Sequence, residues 1–148
     1  MGEQGNGSDE DRLRRLIEDR IEAIRAKDIP AVLSVYAPDV VSYDVIDPLR
    51  HAGREAIGKR LEAWLSQFQE GPIGYEVRDL ELAVGGDVAF SHGLSHVSAT
   101  TTEGKLIDMW WRATTCFRRL DGRWMVAHEH SSVPFDMESG RASLGLKP

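Results

Sequence analysis

The chain has 148 residues, a formal net charge of -6 at pH 7 and one cysteine. This length predicts a single domain, and the acidic balance argues against binding to nucleic acid or to an anionic membrane, since both require clustered lysine and arginine. The lone Cys116 excludes an intrachain disulfide and a cysteine-rich zinc site, and no apolar run approaches the roughly 20 residues of a transmembrane helix.

The N-terminal part of the sequence predicts two helices behind a flexible leader, residues 1–8. The leader lacks the apolar core of a signal peptide, so we expect a cytoplasmic protein. Ser8 and Asp11 resemble a capping box at the start of the first helix. The buried stripe of this helix is marked by apolar residues three or four positions apart, at Leu13, Leu16, Ile17, Ile21 and Ile24. Pro30 suits the first turn of a second, short helix that extends to about Ala37.

Beyond the second helix the pattern becomes mostly strand-like. The stretch "VVSYDVI" at 40–46 is rich in β-branched and aromatic residues and predicts a strand. A third helix follows, with an apolar face formed by Ile57, Leu61, Trp64, Leu65 and Phe68. After Pro72, four strand-like runs are separated by "GGD", "TEGK" and "LDGR". Gly-Gly-Asp and Asp-Gly are strong turn signals, so these runs predict an antiparallel meander. A polar C-terminal tail, residues 136–148, ends the chain.

This order of elements predicts an α+β domain. Helices followed by consecutive strands indicate a curved, cone-shaped antiparallel sheet with the three N-terminal helices packed on its concave face. Two or three helices cannot fill the concave side of a strongly curved sheet evenly, so we expect a pocket between the sheet and the helices.

Strand alternation predicts which side chains face that pocket, because successive side chains point to opposite faces of a sheet. The even positions are assigned inward: Trp124, Val126, His128 and His130 on the last strand, and Trp110, Arg112, Thr114 and Cys116 on the strand before it. Glu129 would then point outward. The outer face would carry the apolar residues Met109, Trp111, Ala113 and Phe117. We therefore expect a second copy of the chain to cover this face, as a homodimer.

Two stretches together resemble a known family. "YAPDVVSYD…HAGREAI" and, far downstream, "WWRATTCFRRLDGRWMVAHEHSSVPF" are similar to the SnoaL-like and ketosteroid-isomerase-like branch of the nuclear transport factor two-like superfamily. The resemblance covers roughly residues 10–135, within a single predicted domain at 9–135. It implies a cone-shaped α+β fold, usually a homodimer, with an apolar cavity that holds a few polar groups. It implies no single activity, because family members include isomerases, cyclases, dehydratases and non-enzymatic modules.

The resemblance transfers to individual residues only in part. It puts Asp44 at the position of the general base of ketosteroid isomerase. The positions of that enzyme's two oxyanion-stabilising groups, a tyrosine and a protonated acid, fall at Arg20 and near Thr114, and neither can substitute in kind. A literal steroid isomerase is therefore not predicted. From the residues themselves, Asp44 is either functional or a structural partner of Arg112, since a buried guanidinium needs a nearby anion.

The histidines offer three alternatives. Two residues apart on a strand, His128 and His130 would lie about 6.5–7 Å apart on one face, a spacing that suits metal binding, acid–base work or a structural role. His92 and His96 on a neighbouring strand share one parity as well. No carboxylate of matching parity completes a metal site, so we predict no metal. The sequence contains no cofactor fingerprint, so we also predict no cofactor.

The sequence therefore predicts a cavity protein that binds a small, largely apolar, oxygenated molecule. If the protein is an enzyme, the expected reaction is proton transfer next to a carbonyl, as in an isomerase, cyclase or dehydratase, with Asp44, His128, His130 and Arg112 as catalytic residues. The residues predicted to contact the ligand are Trp64, His92, His96, Trp110, Thr114 and Trp124. The alternative is a non-catalytic ligand-binding or protein-assembly module of the same fold.

Overall fold

The computed structural model describes residues 2–148, with side chains from residue 9 onward. The helices are α1 (Gly2–Arg25), α2 (Ile29–Leu33) and α3 (Arg54–Leu65). The strands are β1 (Tyr36–Tyr43), β2 (His51–Ala52), β3 (Gly74–Gly85), β4 (Val88–Thr100), β5 (Leu106–Leu120) and β6 (Arg123–Ser132). The predicted α+β fold with helices on one face of a curved sheet is confirmed.

The helices form largely where the apolar pattern placed them. Leu13 and Ile17 of α1 are buried in the core, as the predicted stripe requires. The helix begins at Gly2, upstream of the predicted start at Ser8, and the side chains of the predicted leader lie outside the described residues. Asp28 caps α2 by accepting a hydrogen bond from the Ala31 backbone N–H, and α2 is shorter than predicted.

The six strands form one sheet in the order β2-β1-β6-β5-β4-β3. The segment β3–β6 is an antiparallel meander, as predicted. The first strand, β1, begins earlier than expected and pairs in parallel with β6, while the unpredicted two-residue strand β2 pairs with its other edge. This arrangement brings the end of β1 beside the end of β6.

A bulge between β5 and β6 reverses the alternation of β6. Cys116 pairs with His128, but the next residue, Phe117, pairs with Val126, so Ala127 is an extra residue without a partner. Before the bulge, Trp124 and Val126 face the helices and are buried. Beyond it, the parity is opposite, and Glu129 faces the helices while its two histidine neighbours face outward.

The predicted faces of β5 are also reversed. The odd positions face the helices: Met109, Trp111 and Ala113 line the cavity, and Phe117 is almost fully buried in the core. The bulky apolar side chains are on this face because it is the one on which α1 and α3 pack. The prediction that these residues form the outer face is wrong.

The C-terminal segment folds back toward the sheet. Phe135 and Ala142 form an isolated bridge around a turn in which the Ser139 backbone N–H donates to Asp136 Oδ2. As a result, Ala142 and Leu144 from the predicted polar tail line the cavity. None of the helices described for residues 2–148 combines the length and the apolar character needed to cross a bilayer.

Candidate functional site

A cavity of about 690 Å³ lies between the sheet and the helices. Its walls are mainly apolar and come from α1, α3, the inner face of β4 and β5, and the C-terminal segment. The apolar lining includes Ile24, Ile57, Leu61, Trp64, Val97, Ile107, Met109 and Trp111. Cavities of this size and character commonly hold small molecules.

One polar group of the cavity is centred on Glu129. Arg20 Nη1 of α1 donates to Glu129 Oε2 at 2.7 Å, and the Tyr36 hydroxyl donates to Glu129 Oε1 at 2.6 Å. The side chains of Arg20 and Glu129 are only 13% and 18% exposed. Both carboxylate oxygens are therefore engaged, and the pair is held with its charges balanced.

The pKa values of the neighbouring groups follow from this arrangement. Burial alone would lower the pKa of Arg20, but Glu129, Tyr36 and Tyr75 together outweigh burial and raise it. Burial raises the pKa of Tyr36 well above its usual range, and the adjacent Glu129 adds to this shift. Burial likewise raises the pKa of Tyr75, whose ring also lines the cavity. Both phenols are therefore neutral near pH 7.

A second polar group lies on another wall, where β1 ends. Arg60 Nε of α3 is 2.9 Å from Asp44 Oδ2, and their side chains are 16% and 21% exposed. Asp44 Oδ1 also accepts from the Val45 backbone N–H. The predicted Asp44–Arg112 pair is wrong, because Arg112 is exposed on the outer face and donates to Ser132 Oγ.

His51 belongs to the same wall. His51 of β2 pairs with Ser42 of β1, which is two residues before Asp44. Ser42, Asp44 and His51 all line the cavity. Within residues 9–148, His51 Nε2 and Arg60 Nε are the buried side-chain polar atoms that lack a hydrogen-bond partner. Arg60 Nε does contact Asp44, but as an ion pair without hydrogen-bond geometry. Unsatisfied polar atoms of this kind are uncommon in folded proteins, and here both belong to cavity residues.

The structure places the predicted histidines outside the cavity. The rings of His128 and His130 lie 4.7 Å and 5.5 Å from the Tyr43 ring on the outer face of the sheet. His128 Nδ1 is 2.6 Å from the Val41 carbonyl oxygen, so it serves as a donor there. The prediction that both imidazoles point into the cavity is wrong, because the bulge at Ala127 turns them away.

Most of the other residues predicted to contact a ligand are also on the outer face. His92 and Thr114 are exposed neighbours on β4 and β5. His96 stacks on Trp110 with ring centroids 4.1 Å apart. The inward positions predicted for these residues are wrong, because even-numbered residues of β4 and β5 point away from the helices.

The two remaining predicted tryptophans have different surroundings. Trp64 of α3 lines the cavity and meets the Trp111 ring edge-on at 6.2 Å. Trp124 faces the helices, but it packs by α1 outside this cavity, where its Nε1 donates to Asp9 Oδ1 at 3.2 Å. Trp64 therefore stays a candidate ligand contact, whereas Trp124 does not.

The polar residues that sequence reasoning missed are Tyr36, His51, Arg60 and Glu129. His51 begins the "HAGREAI" stretch and Arg60 follows its last residue by three positions. Their spacing carried no parity signal, because His51 lies in β2 and Arg60 lies in α3. Glu129 was assigned to the wrong face by simple alternation. No cluster of three or more potential metal-binding side chains occurs among the described residues.

Comparisons with known proteins agree with this architecture. The model of the "SnoaL-like domain" family matches residues 13–136. An NTF2-like protein of unknown function from Pseudomonas putida KT2440 is 35% identical, with a TM-score of 0.84 over 96% of this chain and 98% of that one. No curated protein matches the sequence.

More distant structures share the fold alone. An NTF2-like protein with a cystatin-like fold from Novosphingobium aromaticivorans is 18% identical, with a TM-score of 0.74 over 88% of this chain and 85% of that one. A ketosteroid isomerase-like protein from Erwinia carotovora atroseptica is 19% identical, with a TM-score of 0.69 over 82% of this chain and 92% of that one.

Proposed function

Because the chain belongs to the SnoaL-like domain family, we propose that it binds a small, largely apolar, oxygen-bearing molecule in its cavity and transfers a proton next to a carbonyl group of that molecule. The cavity's apolar walls and its volume of about 690 Å³ support the binding part of this proposal. The class of reaction would be an isomerisation, a cyclisation or a dehydration.

The observation that carries the catalytic part is the position of Asp44. Its carboxylate lies on the wall of a mainly apolar cavity, at the end of β1, and Arg60 holds it in place. Such a carboxylate can act as a general base toward a carbon-bound proton when the substrate is held against it. His128, His130 and Arg112 have no part in this proposal, because they face away from the cavity.

The proposed step moves one proton and needs no cofactor. Asp44 takes the proton from the carbon next to the carbonyl, and the electron pair of the broken C–H bond forms an enolate. Arg60 and His51, on the same wall, are the donors available to the enolate oxygen. The proton then returns from Asp44 to carbon. In a dehydration, the enolate instead expels hydroxide from the neighbouring carbon, and hydroxide takes the proton from Asp44 and leaves as water.

Hydrogen–deuterium exchange of a generic ketone tests this proposal without knowledge of the natural substrate. β-Tetralone carries acidic protons next to its carbonyl, and NMR in D₂O follows their loss. We expect the protein to accelerate the exchange and Asp44→Asn to reduce the acceleration by about 100-fold or more, the usual contribution of a positioned base. Asp39→Asn is the matched control, because Asp39 is an exposed residue of β1, the strand that precedes Asp44, and lies outside the cavity lining.

The alternative function is a non-catalytic ligand-binding or assembly module. It is favoured by one observation, that both carboxylates of the cavity, Asp44 and Glu129, already have arginine partners. Binding of β-tetralone without any acceleration of exchange would support this alternative over catalysis. An exchange rate unchanged by Asp44→Asn would also contradict the assigned base.

A second copy of the chain is the partner that we propose for the outer face of the sheet. This face carries Tyr43 and Phe90, which are 41% and 49% exposed, together with Trp110 and the outward histidines. Exposed aromatic side chains on a sheet face are typical of an interface between proteins. The cytoplasm stays the predicted location.

A further inference from the structure

The charged groups that line the cavity balance each other. The lining contains two arginines, Arg20 and Arg60, and two carboxylates, Glu129 and Asp44. Each arginine is paired with one carboxylate, at 2.7 Å and 2.9 Å respectively. Within the described residues, the cavity lining therefore holds no arginine that lacks a carboxylate partner and could receive an anionic ligand.

The two tyrosines of the lining do not change this balance. Tyr36 and Tyr75 are neutral phenols, as their raised pKa values require. His51 presents an imidazole whose buried Nε2 has no hydrogen-bond partner in the described part of the chain. A neutral ligand can add a hydrogen bond to such a wall without disturbing either ion pair.

A carboxylate or phosphate ligand would meet a different situation. To bind an arginine it must displace Glu129 or Asp44, or else lie beside that carboxylate with both negative charges removed from water. Breaking a buried pair leaves an uncompensated charge, and like charges close together in a poorly solvated cavity repel strongly. Either route penalises an anion relative to a neutral molecule of the same shape.

We propose that the cavity selects neutral ligands, and that Glu129 and Asp44 set this selectivity by neutralising Arg20 and Arg60. This inference rests on the proposed function, because it assigns the charge class of the molecule that the cavity binds. It makes Glu129 a specificity-determining residue, since its removal would expose a cationic group inside an apolar cavity. The cavity should then accept the anions that it rejects in the native protein.

Two probes with the same naphthalene ring and different charge test the proposal. β-Naphthol is neutral at neutral pH, whereas β-naphthoate is an anion, and both are small enough for a cavity of about 690 Å³. Isothermal titration calorimetry of the full chain should give an affinity at least about tenfold higher for β-naphthol, a difference of ~1.4 kcal/mol. In Glu129→Gln, we expect the affinity for β-naphthoate to rise by about tenfold or more, because Arg20 becomes available to a carboxylate.

A matched control separates cavity charge from total charge. Asp87→Asn changes the net charge of the chain by the same amount and also removes an arginine's partner, but the Asp87–Arg119 pair lies outside the cavity. This control should keep the native preference for β-naphthol. Circular dichroism establishes whether Glu129→Gln is folded. If it is not, Asp44→Asn provides the same test through Arg60, with the same expected gain for β-naphthoate.

The outcomes distinguish this inference from the proposed function. Equal affinities of the native protein for the two probes would overturn the selectivity for neutral ligands and leave ligand binding intact. No gain for β-naphthoate in a folded Glu129→Gln or Asp44→Asn variant would overturn the role of the two carboxylates. Failure of both probes to bind any of these proteins would overturn the ligand cavity itself, and the selectivity with it.

Discussion

Removal of the Glu129 carboxylate should strongly destabilise the fold. Arg20 and Glu129 are 13% and 18% exposed, and Arg20 Nη1 lies 2.7 Å from Glu129 Oε2. In Glu129→Ala the guanidinium is left in the cavity wall without its anion, and the Tyr36 hydroxyl loses its acceptor. Breaking one side of a buried pair costs ~3–5 kcal/mol. For a domain of this size, that loss corresponds to a decrease in Tm of roughly 10 °C.

The double variant Arg20→Leu/Glu129→Leu provides the comparison that identifies the cause. Both charges are absent, so no buried charge is left uncompensated, and we expect most of the lost stability to return. Urea unfolding followed by far-ultraviolet circular dichroism measures the free energy of unfolding of each variant. The reasoning is refuted if Glu129→Ala costs less than about 1 kcal/mol, as expected for a solvated pair, or if the double variant is less stable than Glu129→Ala.

Two further predictions concern acid stability and the outer face. The hydrogen bond from Trp124 Nε1 and the nearby Arg119 lower the pKa of Asp9 below its usual value of 3.8. The Asp9 carboxylate therefore stabilises the fold fully above pH 3.8, and this stabilisation is lost as the pH falls through the lowered pKa. Asp9→Asn should therefore reduce the acid sensitivity of unfolding below about pH 4 in urea titrations, and an unchanged pH dependence would contradict this assignment. Phe90→Glu on the outer face should convert the proposed dimer to a monomer in sedimentation velocity, whereas a native protein that already sediments as a monomer at micromolar concentration would refute the dimer.

The succession of elements could be predicted from local patterns. The stripe of α1 that includes Leu13 and Ile17 has a helical period, and the runs that became β3–β6 are separated by glycine-containing turns. These signals act over a few residues, because backbone propensity and turn geometry are local properties. The family resemblance then identified the sheet as part of a cone-shaped domain.

Which side chains of each strand point toward the helices depended on contacts between residues that are distant in the sequence. The even positions of β5 and β6 were assigned inward from the bulk of a few side chains, such as Trp124 and Trp110. On β5 both faces carry large apolar groups, so bulk alone does not identify the face that α1 and α3 cover. Packing of the helices on the odd positions decided it.

The candidate site was predicted only in part for the same reason. Asp44 and Trp64 line the cavity as expected, because each follows directly from the resemblance or from a helical stripe. The inward position of Glu129 could not be predicted, because the single extra residue Ala127 reverses the parity of the strand. The residues on either side of Ala127 give no sequence signal for a bulge.

The sequence by itself determined the fold class, the helical stripe and the strand meander, since these follow from periodicity and turn chemistry along the chain. Only the tertiary structure decided which charges meet. Arg20 and Glu129 are separated by most of the chain. The other side chains that line the cavity also come from distant parts of the sequence. A bulge of one residue exchanges the two faces of a strand, because the side-chain period of a strand is two. The cavity's ion pairs therefore depend on strand register, which is settled when the sheet and the helices pack together.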